Sequence, residues 1–196
     1  MKRSFTIAAL CVALTSVSSH AQETEGPKTN GSAQVFRIPE SNVSFLTGDT
    51  WQQGKQKLRL YGIQSCIRGT IYTDKSGLKQ DCGTVSLAML AAIIRDTKPT
   101  CSPIAQLPAA KPGEEPTILV VCSSHVGDQS LDLGTVLITQ GFAFAAFSND
   151  AKPVYMPYLV AEATAKQSKA GLWAYADMPH PNLVLFGAMQ SKTQKP

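Results

Sequence analysis

Between Val43 and Ile63 the chain runs Val43-Ser44-Phe45-Leu46, then Thr47-Gly48-Asp49-Thr50, then Trp51 through Leu58-Arg59-Leu60-Tyr61-Gly62-Ile63. No other stretch limits the possible folds as much. Val43 to Leu46 is apolar and β-prone. Gly48-Asp49 favours a tight turn, and Gln52-Gln53-Gly54-Lys55 offers a hairpin turn inside the segment Trp51 to Leu60. This part of the chain is therefore committed to strands joined by turns.

The rest of the pattern places helices around further strands. Gln34 to Ile38 alternates apolar and polar residues, as a strand does. Gly69 to Asp81 is rich in turn formers and predicts a loop. Gly83 to Arg95 predicts a helix: Val85, Met89 and Ile93 recur at helical spacing, Leu87, Leu90 and Ile94 widen the apolar face, and Lys98-Pro99 ends it. Gln106 to Pro116, with its prolines and glycine, predicts a loop. It is not a domain boundary, because the core-like run Ile118 to Cys122 follows at once. Ser123 to Gln129 predicts a second turn region. Leu131 to Gln140 predicts a short helix and Gly141 to Phe147 an apolar strand. Tyr155 to Ala170 predicts the longest helix, with Gly171 as its C-cap and Lys166 and Lys169 at its negative end. Strands, a helix, more strands and then helices form an α+β order, not an alternating βαβ order. A five-stranded barrel with about three packed helices fits this count.

The ends and the cysteines set the compartment. Met1-Lys2-Arg3, the apolar run from Phe5 to about Leu14 and the small-residue site Ser19-His20-Ala21 predict a secretory signal peptide over residues 1–21, with Gln22 opening the mature chain. The apolar run is too short to cross a bilayer, and no later run is long and apolar enough to do so. Residues 22–33 predict a flexible leader, 34–189 one folded domain and 190–196 a polar, disordered tail. The formal net charge is only +4, and Lys2 and Arg3 leave with the signal, which argues against a strong nucleic-acid field. Cys66, Cys82, Cys101 and Cys122 remain in the mature chain. An even number in an exported protein favours two disulfides, with a zinc site as the alternative. Spacing alone does not choose the pairing.

Four places in this order resemble the staphylococcal nuclease (thermonuclease) family. They are Gly48-Asp49-Thr50; Leu58-Arg59-Leu60-Tyr61-Gly62-Ile63; Asp132-Leu133-Gly134 leading into Leu137-Ile138-Thr139-Gln140-Gly141-Phe142-Ala143; and Ala161-Glu162-Ala163 through Gly171-Leu172-Trp173. The resemblance covers roughly Val35 to Leu185. It implies an OB-type five-stranded barrel with three helices, a scaffold that commonly binds oligonucleotides or oligosaccharides. Exported bacterial members often carry a Cys before a loop and a Cys-Gly at the next helix start. This implies a Cys66–Cys82 bond and leaves Cys101 with Cys122.

The family's chemistry is calcium-dependent phosphodiester hydrolysis. It needs carboxylates for a hard cation, a general base for water and arginines for the phosphate. Asp49 matches the first calcium carboxylate; the competing reading is a turn aspartate bonded to its neighbours. Arg59 matches the first phosphate-binding arginine; the competing reading is an edge-strand arginine paired with Asp49 or solvent. Gln64, Ser65, Cys66 and Ile67 stand where the family has Asp, any residue, Pro and Glu, so the second carboxylate and the base are missing. The second arginine falls near Thr117, and there is no arginine from Asp96 to Pro196; Lys111 is a poorer substitute. Arg68, Asp74 and Asp81 are the neighbours that would have to compensate. Trp51, Tyr61 and Tyr72 would line a binding face with Arg59 and Arg68, or pack in the core and barrel rim. Ser123-Ser124-His125 reads as a loop.

The expectation is an exported, periplasmic or secreted thermonuclease-like domain with a degenerate site and no cofactor, acting as a non-catalytic binding or scaffold module of the cell envelope. Its partners would be single-stranded nucleic acid, glycan or an envelope protein. The alternative is a weak Ca²⁺-dependent nuclease or phosphodiesterase with displaced ligands.

Overall fold

The computed structural model describes residues 35–109 and 111–193. The expected signal peptide, its cleavage site and the leader lie outside the described residues, as do residues 194–196.

The main sheet contains seven strands: β1 (Phe36–Arg37), β2 (Val43–Thr47), β3 (Thr50–Gln53), β4 (Gln56–Leu60), β8 (Thr100–Leu107), β9 (Thr117–Val126) and β10 (Gln129–Asp132). Their order is β1-β8-β9-β4-β3-β2, with β10 attached to β9. All pairs are antiparallel except β4 with β9, so the sheet is mixed. This order forces curvature. β1 and β2 sit at opposite ends of the path, yet the chain from Arg37 to Val43 spans at most about 20 Å when fully extended. A flat sheet would separate those ends by about 24 Å at ~4.8 Å per strand gap. The sheet therefore curls into a half-barrel.

Two small sheets complete the strands: β5 (Ile63–Ser65) pairs with β11 (Ala143–Ala145), and β6 (Ile71–Thr73) pairs with β7 (Lys79–Asp81). Four α-helices are described: α1 (Cys82–Thr97), α2 (Leu133–Thr139), α3 (Met156–Gln167) and α4 (Pro181–Thr193). The α+β class holds, with seven strands in the main sheet and four helices in place of the expected five and three.

Side-chain alternation explains where the core lies. On β4, Leu58 and Leu60 are buried while Lys57 and Arg59 are only half-buried. Trp51 faces Leu58 across the β3–β4 register, and both are fully buried. α1 covers this layer with Leu90, Ile93 and Ile94, and α2 adds Leu133, Leu137 and Ile138. Asp81 caps α1 by accepting from the Thr84 amide, and Asp132 caps α2 by accepting from the Thr135 amide. Lys98, in the left-handed region at φ 44°, ends α1 by returning its N–H to the Ile94 carbonyl.

Four expectations are corrected. α3 is not the longest helix: it has 12 residues against 16 in α1, it ends at Gln167 with Ser168 as its cap, and Gly171 instead opens a short 3₁₀ helix. Residues 69–81 are not simply a loop, because they contain the β6–β7 hairpin. β8 runs on to Leu107, into the stretch read as a loop. Ser123-Ser124-His125 belongs to β9, paired in register with Ser130 to Asp132 of β10, so the turn is confined to Gly127 and Asp128. In addition, α4 was not foreseen, and it occupies residues 190–193 of the expected tail.

Both disulfides have the implied pairing. Cys101 and Cys122 face each other across the β8–β9 register, and Cys66, just after β5, is tied to the first residue of α1 through Cys82. Each closed loop contributes about 2–4 kcal/mol. Among the described residues, no helix is long and apolar enough to cross a membrane.

Candidate functional site

The turn between β2 and β3 packs directly on α1. A Cβ on Gly48 would lie 2.6 Å from the Ser86 Cβ and within 2.9 Å of its backbone, so only glycine fits. Ser86 is itself anchored: its hydroxyl donates to the Phe142 carbonyl at 2.7 Å and accepts from the Cys66 amide at 3.4 Å. This close approach turns Asp49 inward, where it is 2 % exposed.

Both carboxylate oxygens of Asp49 are engaged. Oδ1 accepts from the hydroxyls of Thr47 (2.5 Å) and Thr50 (2.7 Å). Oδ2 accepts from Arg59 Nη2 (3.2 Å) and the Ser65 backbone amide (3.2 Å). A carboxylate has about four lone-pair positions, and protein donors account for that number. Arg59 lies opposite Thr50 in the β3–β4 register, and its Nη2 also donates to Gln64 Oε1 at 3.0 Å. Gln64 in turn donates from Nε2 to the Ser65 carbonyl at 3.0 Å. Thus Asp49, Arg59 and Gln64 do converge, but as a closed network.

For a hard divalent cation this corner offers few ligands. One carboxylate is present, and the guanidinium 3.2 Å away already supplies its positive charge. Among the described residues, no three His, Cys, Asp or Glu side chains group as a metal site. Ile67 offers an alkyl chain where a base would be needed, and its carbonyl accepts from the Thr70 amide and hydroxyl.

The compensating residues lie elsewhere. Asp74 closes the β6–β7 turn. Its carboxylate accepts from the Ser76 hydroxyl, the Gln80 amide and the Leu78 and Ser76 backbone amides, and these bonds lower its pKa to about 2. Asp81 is the α1 cap. Burial works against its charged form, but hydrogen bonds from Thr84 and Gly69, with the nearby Arg68 charge, outweigh burial and lower its pKa. Arg68 is exposed; its backbone packs so tightly on α1 that a Cβ on Gly83 would lie 2.5 Å from its amide nitrogen. Lys111 is exposed in the loop before β9, and Thr117 faces Lys57 across the β4–β9 register.

The expected aromatic face is also corrected. Trp51 is 0 % exposed and belongs to the core, where its Nε1 donates to Gln53 Oε1 at 3.3 Å. Tyr72 is buried against Tyr175, with ring centroids 4.6 Å apart. Neither offers a ring to a ligand.

Tyr61 is different. It lines a cavity of about 370 Å³ together with Tyr155, Tyr158, Asp132, Ile104 and Val121. Tyr155 and Tyr158 meet edge to face, with centroids 4.8 Å apart and planes at 83°. The Tyr158 hydroxyl donates to Asp132 Oδ1 at 2.8 Å, and the same oxygen accepts from the Thr135 amide (2.7 Å) and hydroxyl (2.9 Å). Burial, reinforced by this bond and the Asp132 charge, pushes the Tyr158 phenol well above its ordinary pKa. Two glycines make room. A Cβ on Gly134 would lie 2.3 Å from the Tyr158 oxygen, and one on Gly62 would lie 3.2 Å from the Tyr155 Cβ and the Tyr158 ring.

A third polar cluster is structural. The carboxylate of Glu162 on α3 accepts from the Ala145 amide at 2.5 Å and bonds His180 Nε2 at 2.9 Å, while Asn182 donates to the Ala145 carbonyl at 2.8 Å. Side chains thus satisfy the outer edge of β11 where another strand would. This fixes β5 and, through the Phe144–Gln64 register, the position of Gln64.

No family model matches the chain, and no curated protein matches it.

Proposed function

We propose that the chain is a divergent, exported relative of the thermonucleases in which the inherited catalytic corner has become a structural ion pair. It serves as a non-catalytic binding or scaffold module of the cell envelope. The architecture supports this reading. With β1 and β2 taken as halves of one bent strand, the curled path contains five strands, and α1, α2 and α3 follow in the family's order. The two disulfides fit an oxidising compartment, periplasmic or secreted.

One observation carries the functional part: Asp49 spends both oxygens on Thr47, Thr50, Ser65 and Arg59. Recruiting a cation there means breaking a buried, charge-assisted network without a second carboxylate to repay the cost. Asp74 and Asp81, which a displaced site would need, hold a hairpin turn and a helix cap. Absence of a general base alone costs on the order of 10²–10⁴ in rate.

The test is cleavage of single-stranded DNA and RNA by the disulfide-intact mature chain, with Ca²⁺ and with chelator. No cleavage above buffer is expected in either condition. Ca²⁺-stimulated cleavage that disappears in both Asp49→Ala and Arg59→Ala would establish a working nuclease. Single-stranded nucleic acid, glycan and envelope protein are the ligand classes to test on the same preparation by thermal shift, with Arg59→Ala reporting whether a ligand uses this corner.

A further inference from the structure

The Tyr61 cleft has the composition of a recognition site, and the Asp49 corner does not account for it. Tyr155 keeps 45 % of its surface in water although it is a large aromatic, and it is held upright by its edge contact with the buried Tyr158. Asp132 is the one charged residue among the cavity's lining residues. Its Oδ1 receives all three protein donors; among the described residues, none donates to Oδ2. The cleft therefore combines aromatic residues with a carboxylate whose Oδ2 has no protein donor among the described residues.

This combination selects among ligand chemistries. An anion would meet Asp132 unfavourably. A sugar needs several free donors and acceptors; the Thr135 and Tyr158 hydroxyls are already directed at Asp132, which leaves the lining only the Tyr61 and Tyr155 hydroxyls beside Oδ2. A primary ammonium needs an acceptor for each of its N–H groups, and Oδ2 is the carboxylate oxygen left over. A quaternary ammonium has no N–H groups to satisfy. It is attracted by the negative faces of aromatic rings and by a nearby carboxylate together. A volume of about 370 Å³ lies at the small end of ligand pockets and suits such a cation.

We propose that Tyr61, Tyr155, Tyr158 and Asp132 form a binding site for a small quaternary ammonium cation of the choline type. The site shares no residue with the Asp49–Arg59 network, and the proposal stands whether or not that network cleaves nucleic acid.

Choline and its neutral isostere 3,3-dimethylbutan-1-ol separate charge recognition from simple apolar fit. Each is titrated by calorimetry into the disulfide-intact mature chain at low ionic strength. Saturable choline binding is expected, with the alcohol weaker by about tenfold or more. Tyr155→Leu, which keeps apolar bulk but removes the ring, should weaken choline at least about threefold, while Tyr155→Phe should retain it. Asp132→Asn, which still offers the capping oxygen, should weaken choline about tenfold and leave the alcohol unchanged. Melting curves confirm that each variant is folded. Equal binding of choline and alcohol to the wild-type chain would overturn the proposal. So would no saturable choline binding at concentrations up to about 10 mM, or full choline affinity in folded Tyr155→Leu.

Discussion

Two aspartates sit at comparable places in this molecule, one in the turn after β2 and one in the cap of α2, and their surroundings have opposite consequences. Asp49 is buried, faces an arginine and spends both oxygens on protein donors. Asp132 is half-buried, gathers its three donors on one oxygen and borders a tyrosine-lined cavity. The first arrangement leaves neither carboxylate oxygen without a protein donor. The second leaves Oδ2 without a protein donor among the described residues. The two residues are chemically identical and differ in how many lone pairs the protein leaves open.

The largest expected effect is on stability at the first aspartate. Asp49→Ala removes an acceptor from Arg59, Ser65 and two threonines at once. Breaking a buried charge pair costs about 3–5 kcal/mol. Because the Arg59 side chain is 33 % exposed and water can partly resolvate it, the expected loss lies near the lower end, about 3 kcal/mol. Urea denaturation measures it; a loss below about 1 kcal/mol would mean the pair is no more than a surface contact.

Gly134→Ala strikes the second region. Its new Cβ drives the Tyr158 hydroxyl away from Asp132, leaving a buried hydroxyl unpaired, with an expected cost of about 1–3 kcal/mol. Tyr158 fluorescence or its near-ultraviolet signature should change with it, and an unchanged signal would contradict the packing. Asp132→Asn should be far gentler than any change at Asp49, about 1 kcal/mol or less, since Asn also caps helices well. Equal losses at the two aspartates would erase the contrast between them.

The smallest effect is in acid. The Asp74 pKa in the folded chain, about 2, lies below its ordinary value of 3.8. Its contribution is therefore complete above about pH 4 and is lost as pH falls through about 2. Asp81 is shifted in the same direction, so the first turn of α1 should also loosen in acid, below the ordinary carboxylate range. Amide exchange of Ser76, Leu78 and Thr84 between pH 4 and pH 2 checks this, and in Asp74→Asn the amides of Ser76 and Leu78 should lose the acid dependence.

Much of the framework was legible in the sequence because its determinants are local. The Gly48-Asp49-Thr50 turn and the period of α1 act within a few residues. The disulfide pairing came from the family resemblance, not from spacing. α4 was missed because it opens on Pro181, which reads as a breaker but is tolerated in a first helical turn, and because Leu183-Val184-Leu185-Phe186 has no helical alternation. The β6–β7 hairpin was missed because the side chain of Asp74, not a hydrophobic pattern, closes it. Trp51 reads as a ligand platform or as a core residue, and its register with Leu58 decides for the core. The tyrosine cleft has no local signal, since Tyr61 shares the cavity with Tyr155 and Tyr158 only because these pack against Gly62 from far along the chain.

Whether protein donors saturate Asp49 is decided by Ca²⁺ titration of the intact mature chain. No saturable binding tighter than about 1 mM is expected by calorimetry, and no rise in melting temperature on adding Ca²⁺. Saturable binding tighter than that, abolished in a folded Asp49→Asn variant and accompanied by a rise in the wild-type melting temperature, would show instead that the carboxylate exchanges its protein partners for a cation.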